Sequence, residues 1–176
     1  MNAARYSNAV ALAAAAHSGV FRKGTTVPYI SHPLAVSAIA MEYGADEDLA
    51  IAAVLHDVVE DGGRKFIVPI REVFGTRVAD VVMAVSNISA GTWKEKKIAY
   101  LDHLAKSSDD VLLVAGSDKL HNARAIVSDG PAVFAIFKAP KSDVLWYYSE
   151  LAKIFESRDA PMASAFSETV NKMKEL

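Results

Sequence analysis

Apolar residues recur along this chain at the three-and-four spacing of helices, and the breaks between runs fall on glycine, proline and short polar side chains. The pattern predicts a first helix from Ala3 to His17, then a loop from Ser18 to Ser31 that carries Gly19, Gly24 and Pro28. Pro33 suits the first turn of a second helix that ends near Gly44. Asp46 is placed to cap a third helix that runs to about Glu60, with Gly62 and Gly63 beyond its end. A short helix from Pro69 to Phe74 is closed by Gly75. The next, Thr76 to Ser86, aligns Val78, Val81, Val82 and Val85 in one stripe. A loop from Ser89 to Thr92 leads into Trp93 to Lys106, with Ile98, Leu101 and Leu104 expected inward. Val111 to Ser128 opens on a β-branched run that resembles a buried strand, but the length of its apolar pattern favours a helix. Pro131 to Phe137, Ser142 to Phe155 and Ala163 to Leu176 complete the set. The class is all-α: one domain over residues 1–176, a compact bundle whose central helices are apolar nearly all round.

Composition narrows this picture. The 176 residues are 52% hydrophobic and 23% charged, enough to bury a core, and the formal net charge of −2 provides no global basic field to hold nucleic acid. Cysteine is absent, which excludes disulfides, thiolate nucleophiles and Cys-ligated zinc. The longest apolar runs, Val10 to Ala16 and Leu49 to Leu55, fall well short of the ~18 residues of a membrane span. Arg5 ahead of an alanine-rich stretch resembles a signal peptide only superficially, because His17, Arg22 and Lys23 follow where a cleavage site would stand. The expectation is a cytoplasmic protein with no membrane partner. The sequence leaves the oligomeric state open, a homo-oligomer included.

Charge then appears where an apolar helix should not carry it. After Leu49 to Leu55 come His56, Asp57, Glu60 and Asp61; on a continuous helix the pairs three or four apart share a face. A second core-like run ends in Asp118, Lys119, His121, Asn122 and Arg124, and His32 opens a helix beside Pro33. Burying such groups uncompensated is costly, so they call for a cation or a solvated cleft. His32, His56, Asp57 and Asp118 together make a mixed imidazole–carboxylate set suited to Mn²⁺, Fe²⁺, Mg²⁺ or Zn²⁺. Such an ion polarises water and phosphoryl oxygens, with Glu60 and Asp61 beside it as acid and base. Each residue also has an ordinary reading: a surface His-Asp pair, an Asp118 matched with Lys119 or Arg124, a helix-start His32. Arg22 and Lys23, in the loop before His32, suggest a phosphate-rich anion. Lys94, Lys96 and Lys97 form a second cationic group that reads equally as a solvated helix face. Trp146, Tyr147 and Tyr148 suit either base stacking or core packing. His17 and His103 read as structural, and His121 as turned away from Asp118.

Four segments in order carry a resemblance: His17-Ser-Gly-x-x-Arg22-Lys23, Pro28-Tyr29-Ile-x-His32-Pro33, Leu55-His56-Asp57-x-x-Glu60-Asp61 and Asp118-Lys119-Leu-x-Asn122. Over about residues 5–155 the chain resembles the hydrolase domain of the RelA/SpoT homologues, and within it the single-domain small alarmone hydrolases of Mesh1 type. That resemblance implies the helical HD-domain fold and one Mn²⁺ held by His32, His56, Asp57 and Asp118. It implies Glu60 and Asp61 as the pair that positions and activates water, and Arg22, Lys23 and Asn122 as substrate contacts; Lys97 and Tyr147, from the cationic and aromatic groups above, are further candidates. The implied reaction removes the 3′-diphosphate of the nucleotides ppGpp and pppGpp, giving GDP or GTP and pyrophosphate. Synthetase domains of that family follow the hydrolase domain, so a chain ending at Leu176 is expected to degrade the alarmone only. Val20 replaces the glutamine usual after His-x-Gly, and Ser86 to Trp93 has no clear counterpart. Two other readings stand beside this one: a phosphohydrolase acting on another nucleotide, such as the 2′-phosphate of NADPH, and a nucleotide-binding module without turnover.

Overall fold

The computed structural model describes residues 2–86 and 90–176 and, among them, ten α-helices and no strand. The expected start of a loop at Ser89 lies outside the described residues. Helix α1 (Ala3–Ala16) is capped by Asn2, whose side chain accepts from the amides of Ala4 and Arg5. Then come α2 (Ser31–Glu42) and α3 (Glu47–Leu55), with Asp46 accepting from Leu49 N as the sequence predicts. Next are α4 (Val58–Gly62), α5 (Ile67–Phe74) and α6 (Thr76–Val85), the last two separated by Gly75 at φ 88°. Thr92 and Glu95 form a capping box at the start of α7 (Trp93–Ala105). Helix α8 (Asp109–Asp129) is closed by Gly130, a 3-10 segment (Pro131–Ile136) replaces the helix expected there, and α9 (Lys141–Ser157) and α10 (Ala163–Lys174) follow.

Helices α3 and α8 form the centre. Every residue from Leu49 to Leu55 is buried, as is every residue from Val111 to Asp118. Around them pack α1, α2, α6 and α10, and the valine stripe of α6 (Val78, Val81, Val82, Val85) is buried as expected. No helix among the described residues is long and apolar enough to cross a membrane.

Two departures matter for the site. The third helix does not run unbroken to Glu60. It stops at Leu55, and His56 and Asp57 form a turn before α4. In α7 the buried face is Tyr100, Leu101 and Leu104, and Ile98 is exposed rather than inward. Lys97 stands three before Tyr100 and four before Leu101, so it falls on the inward side and Ile98 is left on the flank.

Gly116 lies where α8 crosses the α9–α10 connection: a Cβ there would stand 2.5 Å from the sulfur of the fully buried Met162. Met162 is itself fully buried, so added bulk at position 116 crowds the centre of the bundle. Gly116→Val is expected to lower stability by about 1–3 kcal/mol, measurable as a lower urea midpoint; an unchanged midpoint would show that the contact yields freely.

Candidate metal centre

The loop before α2 folds back on itself: Arg22 N donates to Val27 O and Tyr29 N to Val20 O, both at 2.8 Å, with an isolated bridge between Phe21 and Pro28. This hairpin-like turn directs Arg22 and Tyr29 to one side and delivers the chain to α2, where His32 is buried in the first turn. His56 comes from the end of α3 and Asp118 from the middle of α8. Ligand atoms of His32, His56 and Asp118 lie within 4.8 Å of one another, a group that can hold a metal ion. His32 Nε2 is 3.1 Å from Asp118 Oδ1 and 3.5 Å from Asp57 Oδ2, and His56 Nε2 is 3.7 Å and 3.0 Å from the same two oxygens.

His56 and Asp57 are neighbours at the junction of α3 and α4, both with right-handed helical backbone angles (φ −56°, ψ −36° and φ −91°, ψ −10°), and their side chains approach to 3.0 Å.

The proton pattern suits a cation. His56 Nδ1 lies 2.8 Å from Ala53 O, which only accepts, so Nδ1 carries a proton and Nε2 is the nitrogen left to face the carboxylates or a cation. That buried Nε2 has no hydrogen-bond partner and faces carboxylates. Desolvation pulls the His56 pKa down, but Asp57 and Asp118 outweigh it and hold it well above the usual histidine range. Desolvation likewise raises both carboxyls, yet His56 holds Asp57 low, and Lys119, His32 and His56 hold Asp118 well below the carboxylate range. Two ionised acids facing two imidazoles therefore require positive charge among them. A proton on His56 supplies one unit and a divalent ion two, and the nitrogen–oxygen donor set fits such an ion.

A further layer holds these groups. Tyr29 donates from its hydroxyl to Asp57 Oδ2 at 2.6 Å; desolvation and then the Asp57 charge push its pKa up, so it remains a donor. Asp118 accepts from Asn122 Nδ2 at 2.6 Å and pairs through Oδ2 with Lys119 Nζ at 2.5 Å. His32 Nδ1 meets His121 Nδ1 at 2.8 Å. The expectation that His121 turns away from Asp118 is thus corrected. Positions three apart on α8 share a face, and His121 reaches the site from beside Asp118.

Next to the centre lies a cavity of about 780 Å³. Arg22, Lys23, Lys97, Asn122 and Tyr147, the five expected substrate contacts, all line it, together with Lys119, His121, Glu60 and Trp93. Arg22 Nη2 donates to Asn122 Oδ1 at 3.1 Å, and Lys23 Nζ donates to Ile136 O at the rim. Lys97 lies 4.6 Å above the ring of Tyr147 and 5.8 Å from that of Trp93; desolvation and then Lys119 lower its pKa to about 8. Of the aromatic trio, Tyr147 and Tyr148 line the cavity, whereas Trp146 lies under Lys94 outside it, and Lys94 itself pairs with Asp143 at 3.3 Å. Asp61 is not at the cavity wall. It stands 3.6 Å from the buried His17, and desolvation, Asp57 and Glu60 raise its pKa to about 6. The sequence reading assigned no role to Tyr29, Lys119 or Trp93. A lysine directly after the acid of a core helix was the one signal among them that could have been used.

The chain matches the HD domain family over residues 9–153. It is 33% identical over 133 residues to the bifunctional (p)ppGpp synthase/hydrolase SpoT of Escherichia coli K12, covering 72% of this chain and 19% of that protein. To the guanosine-3′,5′-bis(diphosphate) 3′-pyrophosphohydrolase MESH1 of Danio rerio it is 35% identical over 99 residues, 55% of this chain and 54% of that one. The chain therefore spans about half, or less, of the length of these curated relatives. Among solved structures it resembles a metazoan orthologue of SpoT that hydrolyses ppGpp, with TM-score 0.83 and 24% identity, covering 100% of this chain and 99% of the other. A Listeria monocytogenes EGD-e crystal structure matches with TM-score 0.72 and 27% identity over 82% of this chain and 99% of that one. The buried His-Asp centre and a match running through nearly all the helices lead to one assignment: the chain belongs to the HD-domain family.

Proposed function

We propose that this protein is a metal-dependent phosphohydrolase that removes the 3′-diphosphate of ppGpp and pppGpp, releasing pyrophosphate and GDP or GTP. The observation that carries the reading is the adjacency of the His32–His56–Asp118 group to a cavity whose walls hold Arg22, Lys23, Lys97 and Lys119 beside Trp93 and Tyr147. A purine nucleotide bearing two diphosphates presents the matching chemistry: dense negative charge for the cations and a flat ring for the aromatic slot. The names of the relatives point to the same substrate.

In this reading His32, His56, Asp57 and Asp118 hold one divalent ion, Mn²⁺, which supplies Lewis acidity toward water and a phosphoryl oxygen. Arg22 and Lys23 neutralise the diphosphate from the loop side, Lys97 and Lys119 from α7 and α8, and Tyr147 and Trp93 flank the base. Asn122 bridges Arg22 and Asp118, so it registers the anion-binding loop against the centre. Glu60, at the cavity wall, takes the proton of the attacking water. Asp61, with its raised pKa and its place beside His17, passes that proton outward.

The deciding assay is pyrophosphate release from ppGpp by metal-stripped protein, with and without added Mn²⁺, with NADPH as a competing substrate. Metal-dependent release with GDP as co-product supports the assignment. Phosphate release from NADPH alone would keep the centre and replace the substrate. His56→Ala and Asp57→Ala are expected to abolish Mn²⁺ binding in calorimetry along with turnover. Glu60→Gln should retain the ion and lose at least about 100-fold in turnover; near-full activity would remove Glu60 from its role. The pH dependence follows from Lys97. A cation whose pKa is lowered to about 8 keeps its charge below that value and loses it above, so kcat/KM should fall as pH rises through about 8. Lys97→Arg should carry that alkaline limb to higher pH, and a limb unmoved by Lys97→Arg would assign it to another group.

A further inference from the structure

The contact between two histidine rings, His32 on α2 and His121 on α8, is where the centre and the cavity meet. Their Nδ1 atoms are 2.8 Å apart, with ring centroids 4.9 Å apart and planes inclined by 40°. A hydrogen bond between two identical ring nitrogens needs one N–H and one lone pair, so the protonation of one ring dictates that of the other. His32 is almost wholly buried and turns its other nitrogen, Nε2, toward Asp118 and Asp57. His121 lines the cavity.

We propose that His121 is a positioning residue that links occupancy of the metal centre to anion binding in the cavity through a paired change of tautomer. The inference rests on the metal-site reading above. When His32 Nε2 carries a proton, it donates to Asp118 Oδ1. Its Nδ1 then accepts from His121 Nδ1–H, and His121 Nε2 is left with a lone pair. When His32 Nε2 gives its lone pair to a cation, the proton must reside on His32 Nδ1 and be donated to His121 Nδ1. The proton of His121 then sits on Nε2, on the far side of the ring. The pair holds two protons in either state: one leaves His32 Nε2, one crosses between the Nδ1 atoms, and one is taken up at His121 Nε2. A ring that opposes a phosphate oxygen with a lone pair becomes one that donates an N–H to it. Metal loading thereby makes the cavity wall favourable to an anion at a place the cation itself does not touch.

Long-range proton–nitrogen correlation spectra of the full chain, without and with Mg²⁺ as a diamagnetic ion, read the tautomers directly. The expected result is protonation at His32 Nδ1 and His121 Nε2 in the loaded protein, and at His32 Nε2 and His121 Nδ1 without the ion. A His121 that remains protonated on Nδ1 in the loaded protein overturns the inference. Two substitutions separate the two faces of the ring. His121→Leu removes both and should weaken Mn²⁺ binding about 10- to 100-fold. His121→Asn places an acceptor near the former Nδ1, so it should hold Mn²⁺ within a few-fold of the unaltered protein. It should still bind inorganic pyrophosphate about tenfold more weakly in the loaded state, the loss of one hydrogen bond to a charged group. Thermal melts of both variants confirm that folded protein is being compared. If the unaltered protein binds Mn²⁺ and His121→Leu binds it equally well, the linkage fails while the metal site stands. If the unaltered protein binds no divalent ion, both readings fail together.

Discussion

Two carboxylates and two imidazoles share one buried volume between α2, α3 and α8, and much of the surrounding structure answers the charge problem they create. Like charges a few ångströms apart in a desolvated pocket repel strongly, and no amount of apolar packing offsets that. Each member is therefore tied by a complementary hydrogen-bond or ion-pair partner. Tyr29 donates to Asp57, Asn122 and Lys119 serve Asp118, Ala53 O fixes the ring of His56, and His121 meets His32. The bundle around them is tightly packed because Leu49–Leu55 of α3 and Val111–Asp118 of α8 are buried without a gap. That packing lets three helices and a loop hold so many polar atoms in register.

The cavity continues the same logic outward. Its cations sit at graded distances from solvent: Lys23 at the rim, Arg22 over the Tyr29 ring, Lys97 half-buried against aromatic faces and Lys119 paired with Asp118. Lys119 serves both regions, neutralising the outer oxygen of Asp118 while facing the space where an anion would lie. With a formal net charge of −2 over the whole chain, this concentration of positive groups is local.

How much of this was legible in the sequence differs by feature. The helical class and most boundaries followed from apolar spacing and from caps such as Asp46 and Gly75, because those are local rules. The imidazoles and carboxylates of the centre stood out as charge at the ends of core helices. Side chains three or four apart on one helix pointed to the right segment, but α3 ends at Leu55 and the close contact is between the adjacent His56 and Asp57, which helical spacing does not single out. His121 was misjudged although its spacing from Asp118 favoured the shared face. Ile98 was misjudged because the inward face of α7 is set by Tyr100 and a half-buried lysine, a choice made by the cavity rather than by hydrophobicity. The sequence offered Trp146 for stacking and not Trp93, whereas in the structure Trp93 lines the cavity and Trp146 lies under Lys94 outside it.

One turn of α8 carries Asp118, Lys119, His121 and Asn122, and that turn begins two residues after the glycine seated against Met162. A helix rises about 1.5 Å and rotates about 100° per residue, so any slip of α8 along or about its axis misplaces all four side chains together. The Gly116–Met162 contact thus works as a mechanical stop. It sets the depth to which the helix seats, and so keeps the two halves of the site from drifting apart independently.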